Sequence, residues 1–276
     1  MRNWPALEVG RLTRVTPDAP ELLQAALVDY AVAAIAESTP DTWQIFFDSA
    51  GERDRAADAL ARQFLQLSIA PVDIPDEDWV ARSQADLRAV RVGNIVVAPP
   101  WDVPVEEGST IVVVVRPSMG FGTAHHATTR LCLAALQRLD ARGRDVIDVG
   151  TGSGVLAIAA SRLGAESVIG LDDDPDALQA AEDNLTLNRD ANVSLRQGDA
   201  RAIGLVGFDL VMANLTGTLL AAAAVPLCHL AKPGGYLVLS GLLEDEEAMV
   251  RAAYSDCRVH NRSQEGEWLC ITFQRP

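Results

Sequence analysis

Apolar residues recur along the chain with two different spacings, and the change of spacing divides it. Through Leu7-Glu8-Val9-Gly10-Arg11-Leu12 apolar and polar positions alternate, the period of a strand with one buried face, expected over residues 7–15. Pro20 then opens a stretch in which Leu23, Leu27, Tyr30 and Ala34 recur at steps of four, three and four, the stripe of an amphipathic helix. Thr42-Trp43-Gln44-Ile45-Phe46-Phe47 is aromatic and β-branched, which predicts a strand. Ala56, Leu60 and Phe64 share one face of a helix expected from about Glu52 to Gln66, and a short strand is expected near Ser68–Val72. A β-α-β-α-β order predicts a small α+β domain over residues 1–75. That domain holds no cluster of histidines, cysteines or nucleophiles, so binding is its expected work.

A joint follows. In Asp73-Ile74-Pro75-Asp76-Glu77-Asp78-Trp79 three acids after a proline make a helix start, and a linker helix carrying Trp79, Arg82 and Gln84 is expected within residues 76–91. Asn94–Ala98 and Ile111–Val115 read as strands, with Pro99-Pro100-Trp101 breaking between them. From Asp145 the pattern changes to apolar runs at Val146–Val149, Val168–Leu171, Val193–Leu195, Leu210–Ala213 and Tyr236–Leu239. Helical stretches begin near Gly154, Asp176 and Thr216. Wholly apolar strands separated by helices imply a parallel sheet covered on both faces. The fold class expected over residues 92–276 is therefore α/β, a doubly wound sheet, whose ligands bind at the carboxyl ends of the strands where the order reverses.

Composition narrows the partners. Of the 276 residues 49% are apolar, enough for a packed core, and no apolar run approaches the length of a membrane span. The N-terminus lacks the apolar run of a secretory signal, so a cytoplasmic protein is expected. The formal charge is −15. Residues 1–91 hold 15 acids against 9 arginines, so the acidity is shared by both parts. That counts against nucleic acid as the main partner and favours a basic protein. The single lysine, Lys232, fits a bias in base composition and carries no argument. Cys132, Cys228, Cys257 and Cys270 stand far apart with no C-x-x-C pair, so buried free thiols are expected and no metal site.

The chemistry starts at Asp148-Val149-Gly150-Thr151-Gly152-Ser153-Gly154, which ends one strand and opens a helix. Glycines there let the chain turn sharply and bring backbone close to a ligand. Twenty-two residues beyond Gly150, a second strand ends at Asp172, where a carboxylate can accept both hydroxyls of a ribose; it could equally cap the next helix. Val155 stands where a dinucleotide fingerprint has its third glycine, which disfavours a nicotinamide oxidoreductase. Upstream, Gly120-Phe121-Gly122-Thr123-Ala124-His125-His126-Ala127-Thr128-Thr129 is a polar loop able to fold over a ligand, unless Thr128 or Thr129 simply caps the following helix. The fourth strand ends at Asn214, whose amide can accept a hydrogen bond from an amine and aim its lone pair; a mere turn residue is the plainer reading.

The acid-x-G-x-G-x-G turn resembles motif I of class I methyltransferases, which bind S-adenosylmethionine (SAM). Together with the polar loop, the Asp78-Trp79 joint, the Ala213-Asn214 segment and the ending Glu267-Trp268-Leu269-Cys270-Ile271-Thr272, it resembles the PrmA family, the methyltransferases of ribosomal protein L11. The resemblance covers nearly the whole chain. It implies a class I methyltransferase sheet with an N-terminal α+β substrate-recognition domain, SAM held by Thr129, Gly150, Gly152, Asp172 and Asn214, and methylation of lysine or other amino groups. A basic ribosomal protein as substrate fits the acidic charge, and a monomer is expected; Asn214 at its strand end would position the amine, and His126 is the only nearby candidate base. Two departures stand out: Ala124, His125 and Ala127 replace the family's Gly, Thr and Pro in the loop, and Leu215-Thr216-Gly217 follows Asn214 in place of I-L-A. Another protein, RNA or small-molecule substrate, or a non-catalytic SAM-binding module, are the alternatives.

Overall fold

Both periods shape the first part of the chain, where Leu23, Ala26 and Leu27 are helical as their spacing predicts. The computed structural model describes residues 3–10, 23, 26, 27, 30, 32–39, 41–64, 66–75, 87–116 and 126–276. The chain divides into two units, Met1–Asp86 and Leu87–Pro276. In the first, β1 (Asn3–Gly10), β2 (Val32–Thr39), β3 (Thr42–Phe47) and β4 (Ser68–Pro75) form an antiparallel sheet in the order β2-β3-β1-β4. Helix α1 (Ala50–Gln63) starts on Ser49, whose hydroxyl accepts from the Glu52 N–H at 3.3 Å. It buries Ala56 and Leu60 against Leu7, Val9, Ile45 and Phe47.

Three expectations change here. Strand β1 begins at Asn3 and ends at Gly10, and residues 11–15 lie outside the described residues. Ala34, read as the end of a helical stripe, lies in β2. Burial along Val32–Ala36 alternates between half-buried and exposed, but all five residues are apolar, so the strand period is invisible in the sequence. The proposed linker helix falls largely outside the described residues, Trp79, Arg82 and Gln84 included, and its last stretch is instead strand β5 (Val90–Val92).

In the second unit β5 pairs with β6 (Ile95–Ala98), and β6 pairs in parallel with β7 (Ile111–Val114). Next come helix α2 (Ala127–Leu139), β8 (Asp145–Val149), α3 (Val155–Arg162), β9 (Ser167–Asp172), α4 (Pro175–Leu187), β10 (Ser194–Gln197) and β11 (Phe208–Asn214). Helices α5 (Gly217–Ala222) and α6 (Ala224–Leu230), β12 (Ala231–Leu243), α7 (Glu247–Ala253), β13 (Arg258–Glu265) and β14 (Trp268–Gln274) complete it. The large sheet runs β10-β9-β8-β11-β12-β14-β13, with β14 antiparallel to both neighbours and the other pairs parallel. The order reverses between β8 and β11.

Period-two side chains sort the core into two layers. Val146, Leu210, Met212 and Val238 face α2 and α3, whereas Ile147, Val149, Val211 and Leu237 face α5 and α6. Asp148, two residues from Val146, therefore lies on the α2–α3 side. Asn184 and Asn188 tie α4 to its neighbours: Asn184 accepts from the Arg116 N–H at 2.8 Å and donates to the Ser153 carbonyl at 2.9 Å, and Asn188 exchanges hydrogen bonds with the Val114 backbone. Among the described residues no helix is long and apolar enough to cross a membrane.

Candidate active site

The turn after β8 is stitched to the end of β9. The Gly150 and Thr151 N–H groups both donate to the Leu171 carbonyl, at 2.8 and 3.0 Å. Gly150, Gly152 and Gly154 have φ of 71°, 52° and 79°, a region that side-chain-bearing residues avoid. A Cβ on Gly150 would strike the Leu215 side chain, and one on Gly154 would come within 3.2 Å of Ala181 Cβ. These two glycines thus answer to packing against the segment after β11 and against α4, a role beyond the ligand clearance expected from the sequence.

The same turn holds Asp172 in place. Its Oδ2 accepts from the Gly152 N–H at 2.8 Å and its Oδ1 from the Asp174 N–H at 3.1 Å. The carboxylate is 9% exposed and lines the cavity, so its remaining lone pairs can serve a ligand diol. Asp174, not Asp172, caps α4, its side chain accepting from the Asp176 N–H.

Behind the turn Asp148 is 1% exposed. Its Oδ2 accepts from the Thr151 hydroxyl at 2.7 Å, and Oδ1 has no hydrogen-bond partner among the described residues. Burial pushes its carboxyl up to about 7, the Thr151 hydrogen bond pulling back.

At the switch point a cavity of about 620 Å³ opens, within the range of roughly 300–1,000 Å³ typical of small-molecule sites. Gly150, Gly152, Asp172, Asn214 and His126 all line it, so five of the six residues singled out in the sequence meet in one place. The sixth, Thr129, does not line it. Helix α2 begins at Ala127 on His126, with no side-chain cap. The helical turn then puts Thr128 on the cavity wall, its hydroxyl 2.8 Å from His126 Nδ1. Thr129 points inward, 0% exposed, its Oγ1 unpartnered among the described residues. The loop residues 117–125, including Ala124 and His125, lie outside the described residues.

Other wall residues escaped the sequence reading. Leu171, Ala177 and Ala200 give apolar surface, and Leu215 and Leu219 add more. Asp199 also lines the cavity, paired with Arg201 at 2.7 Å, and this guanidinium holds its carboxyl at about 2. The signal for it was available: Gly198-Asp199-Ala200 follows the carboxyl end of β10. Trp268, at the start of β14, meets the His126 ring edge-on at 4.6 Å between centroids. Its place next to β12 through the antiparallel β14 could not be read from spacing.

A seven-stranded sheet in this order, with its cleft at the switch point and a carboxylate at the end of β9, defines a class I methyltransferase fold. The model of the family described as ribosomal protein L11 methyltransferase (PrmA) matches residues 24–276, and the chain belongs to that family. The ribosomal protein L11 methyltransferase of Thermus thermophilus is 40% identical over 217 residues, covering 75% of this chain and 84% of its own. That of Geobacter sulfurreducens is 36% identical over 263 residues, covering 90% and 87%. Among solved structures, a ribosomal protein L11 methylase from Lactobacillus delbrueckii subsp. bulgaricus superposes with a TM-score of 0.64 at 27% identity, covering 68% of this chain and 99% of its own.

Proposed function

We propose that the chain transfers a methyl group from SAM to lysine and other amino groups of ribosomal protein L11, as a cytoplasmic monomer. The observation that carries the reading is the convergence of the Asp172 carboxylate and the Asn214 amide on one cavity at the sheet's switch point. The residues fit SAM. Asp172, already oriented by two backbone donors, would take the ribose hydroxyls. Leu171, Ala177 and Ala200 offer apolar walls to a base, and Gly150 and Gly152 bring backbone to the ligand's edge. When bound, SAM supplies a methyl group made electrophilic by a sulfonium cation.

The chain's own contribution is positioning. Asn214 ends β11, a strand buried in the sheet, so its backbone is held firmly at the cavity wall. Its oxygen accepts a hydrogen bond from the incoming amine and turns the lone pair toward the reaction. That amine must be uncharged, and free lysine has a pKa of about 10.4. Apolar walls favour the neutral form by desolvation. His126, the one imidazole on the wall among the described residues, would receive the released proton. Trp268 packed on His126 keeps water from that corner.

Labelled SAM incubated with the chain and purified large-subunit proteins tests the reading. The chain's own single lysine, Lys232, is held between Asp145 and Asp209 at 3.2 and 3.0 Å, so self-labelling on lysine gives little background. Label in L11, mapped to lysines by mass spectrometry, is the expected result. Tight SAM binding without label in any ribosomal protein would reduce the chain to a binding module.

A further inference from the structure

Two cysteines 29 residues apart in sequence meet in the second unit. Cys228 sits on α6, and Cys257 follows the turn after α7. Their Sγ atoms are 3.6 Å apart. Packing independent of the thiols holds them there. Leu227, beside Cys228, is fully buried. Tyr254, three residues before Cys257, stacks on Phe273 and donates its hydroxyl to the Leu220 carbonyl at 2.9 Å.

The pair is also within reach of small solutes. Both cysteines are half-buried and line a cavity of about 250 Å³ that they share with the exposed His229 and Asp256. Cys132 and Cys270 are fully buried in the core. The expectation of four buried thiols therefore holds for two of them only.

We propose that Cys228 and Cys257 are an oxidation site for a small peroxide, closing into a reversible disulfide. Burial pushes the Cys228 thiol up, so Cys228 is assigned the closing step and Cys257 the first. As the thiolate it attacks one oxygen of hydrogen peroxide, the O–O bond breaks, and the departing hydroxide takes a proton to become water. Cys257 is then a sulfenic acid. The Cys228 sulfur attacks that sulfur, an S–S bond replaces the S–O bond, and the second hydroxide leaves with the Cys228 proton as water. Two thiols lose two electrons and one peroxide becomes two waters. The sulfurs must close from 3.6 Å to about 2.05 Å, which requires the two side chains to rotate toward each other. In a reducing compartment such a bond forms under oxidative load and is then reversed.

The test uses the full, reduced protein treated with hydrogen peroxide, quenched by alkylation and digested without reductant. Most chains are expected to lose the mass of two hydrogens and to yield one peptide pair joining Cys228 to Cys257, with dithiothreitol restoring both thiols. Cys228→Ser and Cys257→Ser should each abolish the cross-link. The proposal is overturned if both thiols of the wild-type protein remain alkylatable, if they reach sulfinic acid without a cross-link, or if the cross-link joins two chains.

Discussion

At the scale of single residues, two polar side chains on the cavity have separable work. Asp172 is held by the turn that carries Gly152, and Asn214 closes β11. Asp172→Asn keeps one acceptor oxygen for the turn but loses charged acceptance toward a ribose, worth about 1.5–3 kcal/mol. SAM affinity measured by calorimetry should fall about tenfold or more. Asn214→Ala should lower kcat about 100-fold, the scale of a misplaced reactant, and SAM affinity far less. Equal losses in both quantities would make Asn214 a cofactor ligand only. Asp148 makes a different prediction, because its carboxyl titrates near 7 in the fold and near 3.9 in an unfolded chain. Between those values the unfolded state binds fewer protons than the native state, so stability falls as pH rises and levels off above about 7. Asp148→Asn removes that titration. Urea unfolding at pH 5 and pH 8 should show the wild type losing stability relative to the variant, by on the order of 1–4 kcal/mol. Parallel pH profiles would mean that Asp148 stays ionised throughout.

At the scale of elements, the glycines show where close packing sets the site's shape. Gly241, in β12, has φ of 90°, and a Cβ there would overlap the Leu215 backbone. Gly143 has φ of 65° with nothing within 4 Å of such a Cβ. Both substitutions to alanine incur the left-handed penalty of about 1–2 kcal/mol. Gly241→Ala adds a backbone collision that no rotamer change relieves, a further 1–3 kcal/mol or so. Because Leu215 lines the cavity, Gly241→Ala should also weaken SAM binding, whereas Gly143→Ala should not. Unfolding and binding measured on the two variants check this, and equal effects on both would remove Leu215 from the account. The same contrast explains what could be read from the sequence. Strands β8, β9, β11 and β12 are covered on both faces, so they appear as apolar runs, and their carboxyl ends located Gly150, Asp172 and Asn214 directly. Strand β13 is Arg-Val-His-Asn-Arg-Ser-Gln-Glu at the sheet edge, with too few apolar positions to announce itself. Its partner β14 brings Trp268 to the cavity through antiparallel pairing with β12, a contact that no local spacing encodes. Thr129 shows the converse: the motif located the right turn of helix, where Thr128 lines the cavity and Thr129 is buried beside it.

At the scale of the whole molecule, each unit has its own core. Leu7, Trp43, Ile45 and Phe47 pack with Leu60 in the first, while the two layers of the large sheet build the second. Every described residue on the cavity wall belongs to Leu87–Pro276, so cofactor binding should survive without the first unit. We propose that Met1–Asp86 recognises the substrate protein, since its sequence holds no histidine or cysteine and a match to the family begins within it at residue 24. The formal charge of −15 would draw a basic partner over a distance set by the Debye length, about 8 Å at physiological salt. Two measurements follow. A fragment of residues 87–276 should bind SAM within about threefold of the full chain, a difference under about 1 kcal/mol, yet lose most of its kcat/KM toward L11. In the full chain kcat/KM should fall as salt rises, while SAM affinity, set inside the cavity, should change far less. A fragment that methylates L11 as efficiently as the full chain would assign recognition to the catalytic unit itself, and the first unit would then need another role.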